Sequence, residues 1–547
     1  MLDTGIAEGW GGGEGIMRRW NGWGDDTISL HLPGSTTRYL EQLVGPGTPP
    51  HDVTLAQVVK QVPDSRLPEH PLVTTDAAER VRHARGQSLG DWIALRSGQI
   101  ETFPDGVAYP QHAEDVAALL AWAATVGARI IPYGGGTSVA GHINPLAGAA
   151  PVLTVDMRHM NRLRAFDEVS QLATFEAGVR GPDLEAHLRA RGYTLGHFPQ
   201  SFEYSTLGGW ITTRSSGTQS LGYGRIEQRF AGGQMVAPVG TLELPVFPAS
   251  AAGIDLREVV LGSEGRMGIV TEATVRIAPL PAVEAFHAVF FPTWEQGVSA
   301  ARELLQSGLP LSMVRLSTPR ETETNLVLAG HRRIIAVLDR YLAVRGAGAE
   351  KCMMVLGFAG REPLVEATRK ETLAITGRHK GVHLGQALGR AWHKSRFRTP
   401  YLRNTLWQAG YAIDTVETAT IWNNVPEMVT AIEAALCDGL AECDERVHVF
   451  THLSHLYRHG ASVYTTYLYR LANSPEESLA RWQRLKAAAS AAIVAHGGTI
   501  SHQHGVGHDH LPYLSAEKGD AGIAAIQALC AHFDPAGIMN PGKLIPA

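Results

Sequence analysis

The sequence predicts an α+β protein of more than one domain, and three observations carry that reading. Its 547 residues exceed what a single hydrophobic core usually serves. Between Asp105 and Ala278 helical patterns alternate with short strand-like runs, as in a layered α+β unit. Pro279 and Pro281 then remove two backbone donors and end that unit.

In chain order, residues 1–84 read as an N-terminal extension, loop-rich and partly helical, dense in Gly, Pro and Trp and containing Arg19-Trp20-Asn21-Gly22-Trp23-Gly24. Residues 85–280 form the first domain, with helices over 113–125 and 183–191 and strands over 128–132, 152–155, 172–176 and 269–277. Residues 281–504 form a second α+β domain, with helices over 298–306 and 479–496 and strands over 351–358 and 462–468. Residues 505–547, with a helix over 522–532, are expected to return to the first domain and complete its site.

A hydrophobic fraction of 44% with 18% charged residues argues against a disordered or fibrous chain. A formal charge of -5 without a long basic run leaves no footprint for nucleic acid, so no nucleic-acid partner is expected. Cys352, Cys437, Cys443 and Cys530 lack paired Cys-x-x-Cys spacing and read as free thiols in a reducing compartment. Asp3 and Glu8 precede Arg18 and Arg19 with no apolar core between them, which gives no secretory signal and an expected cytoplasmic location. The longest apolar run, 116–128, is too short for a membrane span and leaves peripheral membrane contact open.

The chemistry begins at Pro132-Tyr133-Gly134-Gly135-Gly136-Thr137-Ser138. Three residues without Cβ follow a strand, where backbone amides can close around phosphate oxygens and two hydroxyls add donors. Tight turns use the same residues, and the run fits neither a Gly-x-Gly-x-x-Gly fingerprint nor a phosphate loop ending in Gly-Lys-Ser/Thr. A second stretch contains Gln200, Ser201, Ser205, Thr206, Gly208 and Gly209, and a third contains Glu264, Gly265, Gly268, Ile269 and Val270. Three such loops suit an extended cofactor with many acceptors.

In this order and at these separations the three stretches resemble the flavin domain of the vanillyl-alcohol oxidase (PCMH) type. With Arg19 to Gly24, Ser205 to Trp210 and Ser501-His502-Gln503-His504-Gly505-Val506-Gly507, nearly the whole chain is similar to the alkyldihydroxyacetonephosphate synthase family. The resemblance implies a PCMH-type FAD-binding domain with a cap domain over it. It also implies FAD as cofactor and exchange of the acyl group of an acyl-dihydroxyacetone phosphate for a long-chain alcohol, without net redox. The implied partners are a lipid-like phosphorylated substrate, a fatty alcohol and a second copy of the chain in a homodimer. The glycine loop continues Ser138-Val139-Ala140-Gly141, with His142 just beyond the usual attachment point, so FAD is expected to bind noncovalently.

Carried over residue by residue, Tyr464 matches the family's proton-transferring tyrosine, Arg403 its phosphate-binding arginine, and Arg315 a further arginine needed for activity. His502 and His504 match two of three consecutive histidines, Gln503 replacing the third. An amide cannot take up a proton near neutral pH, so acid-base work at that position is lost or moved. By the same resemblance Thr212, Thr213, Arg214 and Ser215 join the three stretches as cofactor-binding residues. Asn540-Pro541-Gly542-Lys543 and Gly262 to Gly265 also resemble D-lactate and glycolate dehydrogenases. In that alternative the enzyme oxidises a 2-hydroxy acid and the arginines hold a carboxylate.

His448, His452, His455 and His459 have helical metal-site spacing, yet Val447, Val449 and Phe450 favour a strand leading to Tyr464. A hairpin is expected, with one or two histidines lining the site and no bound metal.

Overall fold

The computed structural model describes residues 18–330 and 332–546. Residues 1–17 of the N-terminal extension, Asp3 and Glu8 among them, lie outside the described residues. The rest of the extension carries helices Gly34–Val44, Leu55–Val59 and Ala77–Arg82 between its loops.

A four-stranded sheet orders Val73–Thr74, Gly106–Ala108, Val152–Asp156 and Arg129–Tyr133, the last three parallel. The crossover is the helix Ala113–Val126, which buries Val116, Leu119, Leu120 and Ala123 at i, i+3, i+4 and i+7 against Ile130, Leu153 and Val155. Beside it an antiparallel sheet orders Leu163–Asp167, Leu172–Glu176, Ile269–Arg276, Phe230–Ala237 and Gly240–Leu244. The helix expected over 183–191 runs Gly181–Arg189.

Beyond Pro281 lies a seven-stranded antiparallel sheet. Its order is Val382–His383, Val283–Phe291, Cys352–Gly360, Met313–Ser317, His448–Tyr457, Gly460–Arg470 and Tyr411–Ile421. Val314, Leu316, Val449, Leu453, Val463 and Val416 face the helices Trp294–Ser307, Val425–Asp438 and Pro475–Ala495 in the largest core. Strand alternation turns Arg315, Ser317, His452, Tyr464 and Glu417 to the other face, which becomes one wall of the site. At the far end of the sheet Leu338 and Leu342 of the helix Arg332–Val344 cover Phe290, Met313 and Val355.

The chain then returns to the first sheet: Ile130 donates to the Ile538 carbonyl at 2.8 Å and Asn540 to that of Ile130 at 2.7 Å. The histidine segment forms the expected hairpin, His448–Tyr457 pairing with Gly460–Arg470. Its histidines serve separate partners: His448 meets Thr324, His452 meets Glu321, and His455, at a bulge with φ 47°, meets Ser216 and Ser220. Among the described residues no three His, Cys, Asp or Glu side chains cluster for a metal, and no helix is long and apolar enough to cross a membrane.

Candidate active site

The glycine run ends the strand Arg129–Tyr133 and is hemmed in by the second glycine stretch. A Cβ on Gly135 would stand 1.8 Å from the Tyr204 carbonyl oxygen, and one on Gly134 2.3 Å from Thr206 Oγ1. Gly136 has φ +59°, and its Cβ would meet the Tyr133 hydroxyl at 2.0 Å. The third stretch closes from the other side, where a Cβ on Gly265 would touch Pro132 Cγ at 2.7 Å. Three loops far apart in sequence thus meet around Pro132–Gly136. A side chain at these glycines would force the loops apart.

Within the loops the polar side chains divide. Ser138 Oγ bonds His142 Nδ1 at 2.6 Å, and Thr137 is half-buried beside it. Thr206 caps the helix Leu207–Thr212, accepting from Gly209 N, so Gly208 and Gly209 form its first turn. Ser201 and Trp210 both donate to Ser205 Oγ. Thr212 and Thr213 donate to the carbonyls of Gly208 and Gly209, and Ser215 meets His197 Nε2 at 3.2 Å. These hydroxyls shape the loops.

Other expected cofactor residues are placed differently. Gln200 is exposed, and the Arg214 guanidinium pairs with Glu258 at the surface. Ile269 and Val270 send their side chains into two hydrophobic cores; before them, a Cβ on Gly268 would stand 2.6 Å from the Val236 carbonyl oxygen. Glu264 spends its carboxylate on backbone, accepting from Val506 N at 2.5 Å and Gly507 N at 2.7 Å.

That clamp has a counterpart across the site. Glu417, on the cap sheet, accepts from the amides of His502, Gln503 and His504 at 3.0 to 3.1 Å and from Ser501 Oγ at 3.0 Å. The segment Ser501–Gly507 is therefore pinned by two carboxylates, one from each sheet system. Glu417 lies directly opposite Tyr464 on the neighbouring strand, which brings the pinned segment to the tyrosine. His504 presents its ring edge-on to Tyr464, centroids 5.9 Å apart. His452, the cross-strand partner on the other side, stacks on Tyr464 at 5.0 Å.

His502 has a different post. Its Nε2 faces Arg225 Nη1 and the Tyr457 hydroxyl, both at 2.5 Å, and Nδ1 stands 3.6 Å from Glu417 Oε2. Burial, then the charge of Arg225, drives its pKa well below the ordinary imidazole value. Two donors on Nε2 hold a neutral ring that braces the segment. Burial also lowers the pKa of His504. Tyr464 donates to Thr415 Oγ1 at 3.2 Å, and burial pushes its phenol up to about 12.

Arg403 lies on the helix Thr399–Gln408, its guanidinium 4.4 Å above the Trp92 ring and donating to the Gln87 carbonyl at 2.8 Å. Its Nη2 is buried without a partner. The tryptophan-glycine motif explains that placement: Asn404 donates to the Trp23 carbonyl and accepts from Trp23 N, while Gly22 and Gly24 press on Asn404 and Tyr401. Arg315 does not reach out in the same way; it donates to Glu321 at 2.7 Å and to Ser317 at 2.8 Å.

Glu417, Glu321, Arg225 and Tyr457 escaped the sequence reading. One signal was present for Glu417, an acidic residue at a buried position of an alternating strand.

Two family models match the chain: the FAD binding domain over residues 104–244 and the C-terminal domain of FAD linked oxidases over 280–544. An alkyldihydroxyacetonephosphate synthase of Dictyostelium discoideum is 30% identical, over 96% of this chain and 93% of that protein. One of Trypanosoma brucei brucei is 29% identical, over 97% and 92%. A solved alkyldihydroxyacetonephosphate synthase superposes with a TM-score of 0.83 at 28% identity, covering 96% of this chain and 99% of that one. The glycine cradle fits the diphosphate of the FAD that these families bind. By sequence along nearly its full length and by fold, the chain belongs to the alkyldihydroxyacetonephosphate synthase family of FAD-dependent enzymes.

Proposed function

We propose that the protein forms an ether bond, exchanging the acyl group of acyl-dihydroxyacetone phosphate for a long-chain alcohol. One observation carries the reading: Tyr464 and His504 meet on the cap face within electrostatic reach of Arg403, whose buried Nη2 is unspent. Arg403 offers that donor to the substrate phosphate. FAD, when bound, supplies the electron-accepting ring that the chemistry at the substrate carbon needs. Tyr464 is a neutral phenol at pH 7, so taking up a substrate proton requires passing its own onward. His504, kept neutral by burial, is the acceptor standing beside it.

Noncovalent attachment is supported by His142, whose Nδ1 is held by Ser138 and whose Nε2 faces Glu264 at 3.3 Å. Peripheral membrane contact from the cytoplasm is assigned to the helix Arg332–Val344, which exposes Ile334, Val337, Tyr341 and Val344 beside Arg333, Arg340 and Arg345. The working unit is a homodimer, measurable as twice the chain mass by light scattering.

The test is an absorption spectrum followed by anaerobic addition of palmitoyl-dihydroxyacetone phosphate and, separately, of D-2-hydroxy acids. Bleaching by the acylated ketone phosphate, reversed by hexadecanol with an ether product, is the expected result. Bleaching by hydroxy acids alone overturns it in favour of a dehydrogenase.

A further inference from the structure

We propose that Glu321 and His452 are positioning residues that hold the Tyr464 ring, and that Arg315 acts through them without touching substrate. The inference rests on the ether-forming reading for its kinetic test, but its geometry stands alone.

Ser317, His452, Tyr464 and Glu417 are successive cross-strand partners on one face of the cap sheet, so Tyr464 has a neighbour on each side. Glu417 is occupied by the pinned segment. His452 stacks on the tyrosine with only 23° between the ring planes. A stacked ring can slide, and what stops this one is Glu321, whose Oε1 faces His452 Nδ1 at 2.9 Å. Nδ1–H donating to the carboxylate fixes the imidazole tautomer and its plane.

Glu321 is itself fixed three ways. It sits in the first turn of the helix Pro319–Leu328, its amide donates to the capping Thr318 Oγ1, and Arg315 Nη2 donates to its Oε1 at 2.7 Å. Burial works to raise the Glu321 carboxyl, yet Arg315 and then His452 outweigh it and hold it at about 2. Burial and the Arg315 charge together keep His452 neutral. Arg315 thus turns Nη1 to Ser317 and Nη2 to Glu321, with His452 Nδ1 3.1 Å away, so both terminal nitrogens already serve the anchor. A buried carboxylate, guanidinium and imidazole are expensive to keep in a sheet interior. Placement of the reactive phenol accounts for them.

The experiment compares Glu321→Ala, Glu321→Gln, His452→Phe and His452→Ala in the FAD-loaded protein. Loss of the anchor is expected to lower kcat by about 100-fold, the scale of a misplacement near 1 Å, with KM for palmitoyl-dihydroxyacetone phosphate within about twofold. Glu321→Gln, which keeps an acceptor for Nδ1–H, restores most of that loss, and His452→Phe, which keeps the stacked ring, restores part of it. A second readout needs no turnover: ultraviolet titration of the Tyr464 phenol, identified by its absence in Tyr464→Phe, shifts in Glu321→Ala. A rise in KM with kcat unchanged, in Arg315→Ala as in Glu321→Ala, would show that Arg315 binds substrate and overturn the proposal. An unshifted phenol titration in folded Glu321→Ala overturns it too. If palmitoyl-dihydroxyacetone phosphate is not turned over at all, the ether-forming reading fails and the titration still decides this one.

Discussion

Around Pro132–Gly136 the site is built from backbone, whereas on the cap face it is built from side chains. In the first region three loops approach so closely that a single Cβ collides with carbonyl oxygen, and the hydroxyls are turned inward to cap and brace. In the second, rigid strands set Tyr464, His452 and Glu417 in a row and the chemistry depends on their tips. Cofactor retention and turnover should therefore fail separately.

The largest effect tests that separation directly. Tyr464→Phe is expected to cost kcat about 10³-fold while the protein stays yellow, checked by turnover rate against flavin absorbance. Loss of flavin in that variant would dissolve the distinction. On the other side, Gly135→Ala must push the Tyr204 carbonyl from 1.8 Å, at a cost of about 1–3 kcal/mol. It is expected to shed FAD on dilution and to regain turnover when FAD is added back, which equilibrium dialysis and activity would show.

The seam between the regions has its own signature. Burial holds His197 and His455 at about 3, far below the 6.5 of an exposed ring. The folded protein keeps them neutral where the unfolded chain takes up protons. Their contribution is complete above pH 6.5 and is lost as pH falls, by about 2 kcal/mol for each at pH 5. Urea denaturation across pH 5 to 7 should show that slope, and His455→Gln should reduce it. The smallest effect concerns neither region: Ile334→Asp alone is expected to cut binding to anionic vesicles about fivefold, about 1 kcal/mol for one apolar contact, while leaving FAD content intact.

Legibility in the sequence follows the same division. A phosphate cradle is local, so glycines 134 to 136 announced themselves directly after a strand-like run. Gln200 is exposed, and a polar loop has no periodicity to tell an inward side chain from such a one. The cap face is assembled from residues far apart: Glu417 meets its amides 85 to 87 positions away, and Glu321 meets His452 131 positions away. Apart from the acidic residue at an inward position of an alternating strand that is Glu417, nothing in the local pattern marks such partners, and Tyr464 and Arg403 stood out only through resemblance. Even there, His502 and His504 looked equivalent until Arg225 and Tyr457 were seen to occupy one of them.

The two-carboxylate grip on Ser501–Gly507 bears on how this enzyme family can vary. Glu417 and Glu264 read amide hydrogens, which every residue except proline presents alike. Position 503 donates its amide like its neighbours while its side chain stays outside the grip, so glutamine can stand where a third histidine is the family habit without loosening the segment. A change of that side chain alters the reaction's surroundings before it touches the architecture.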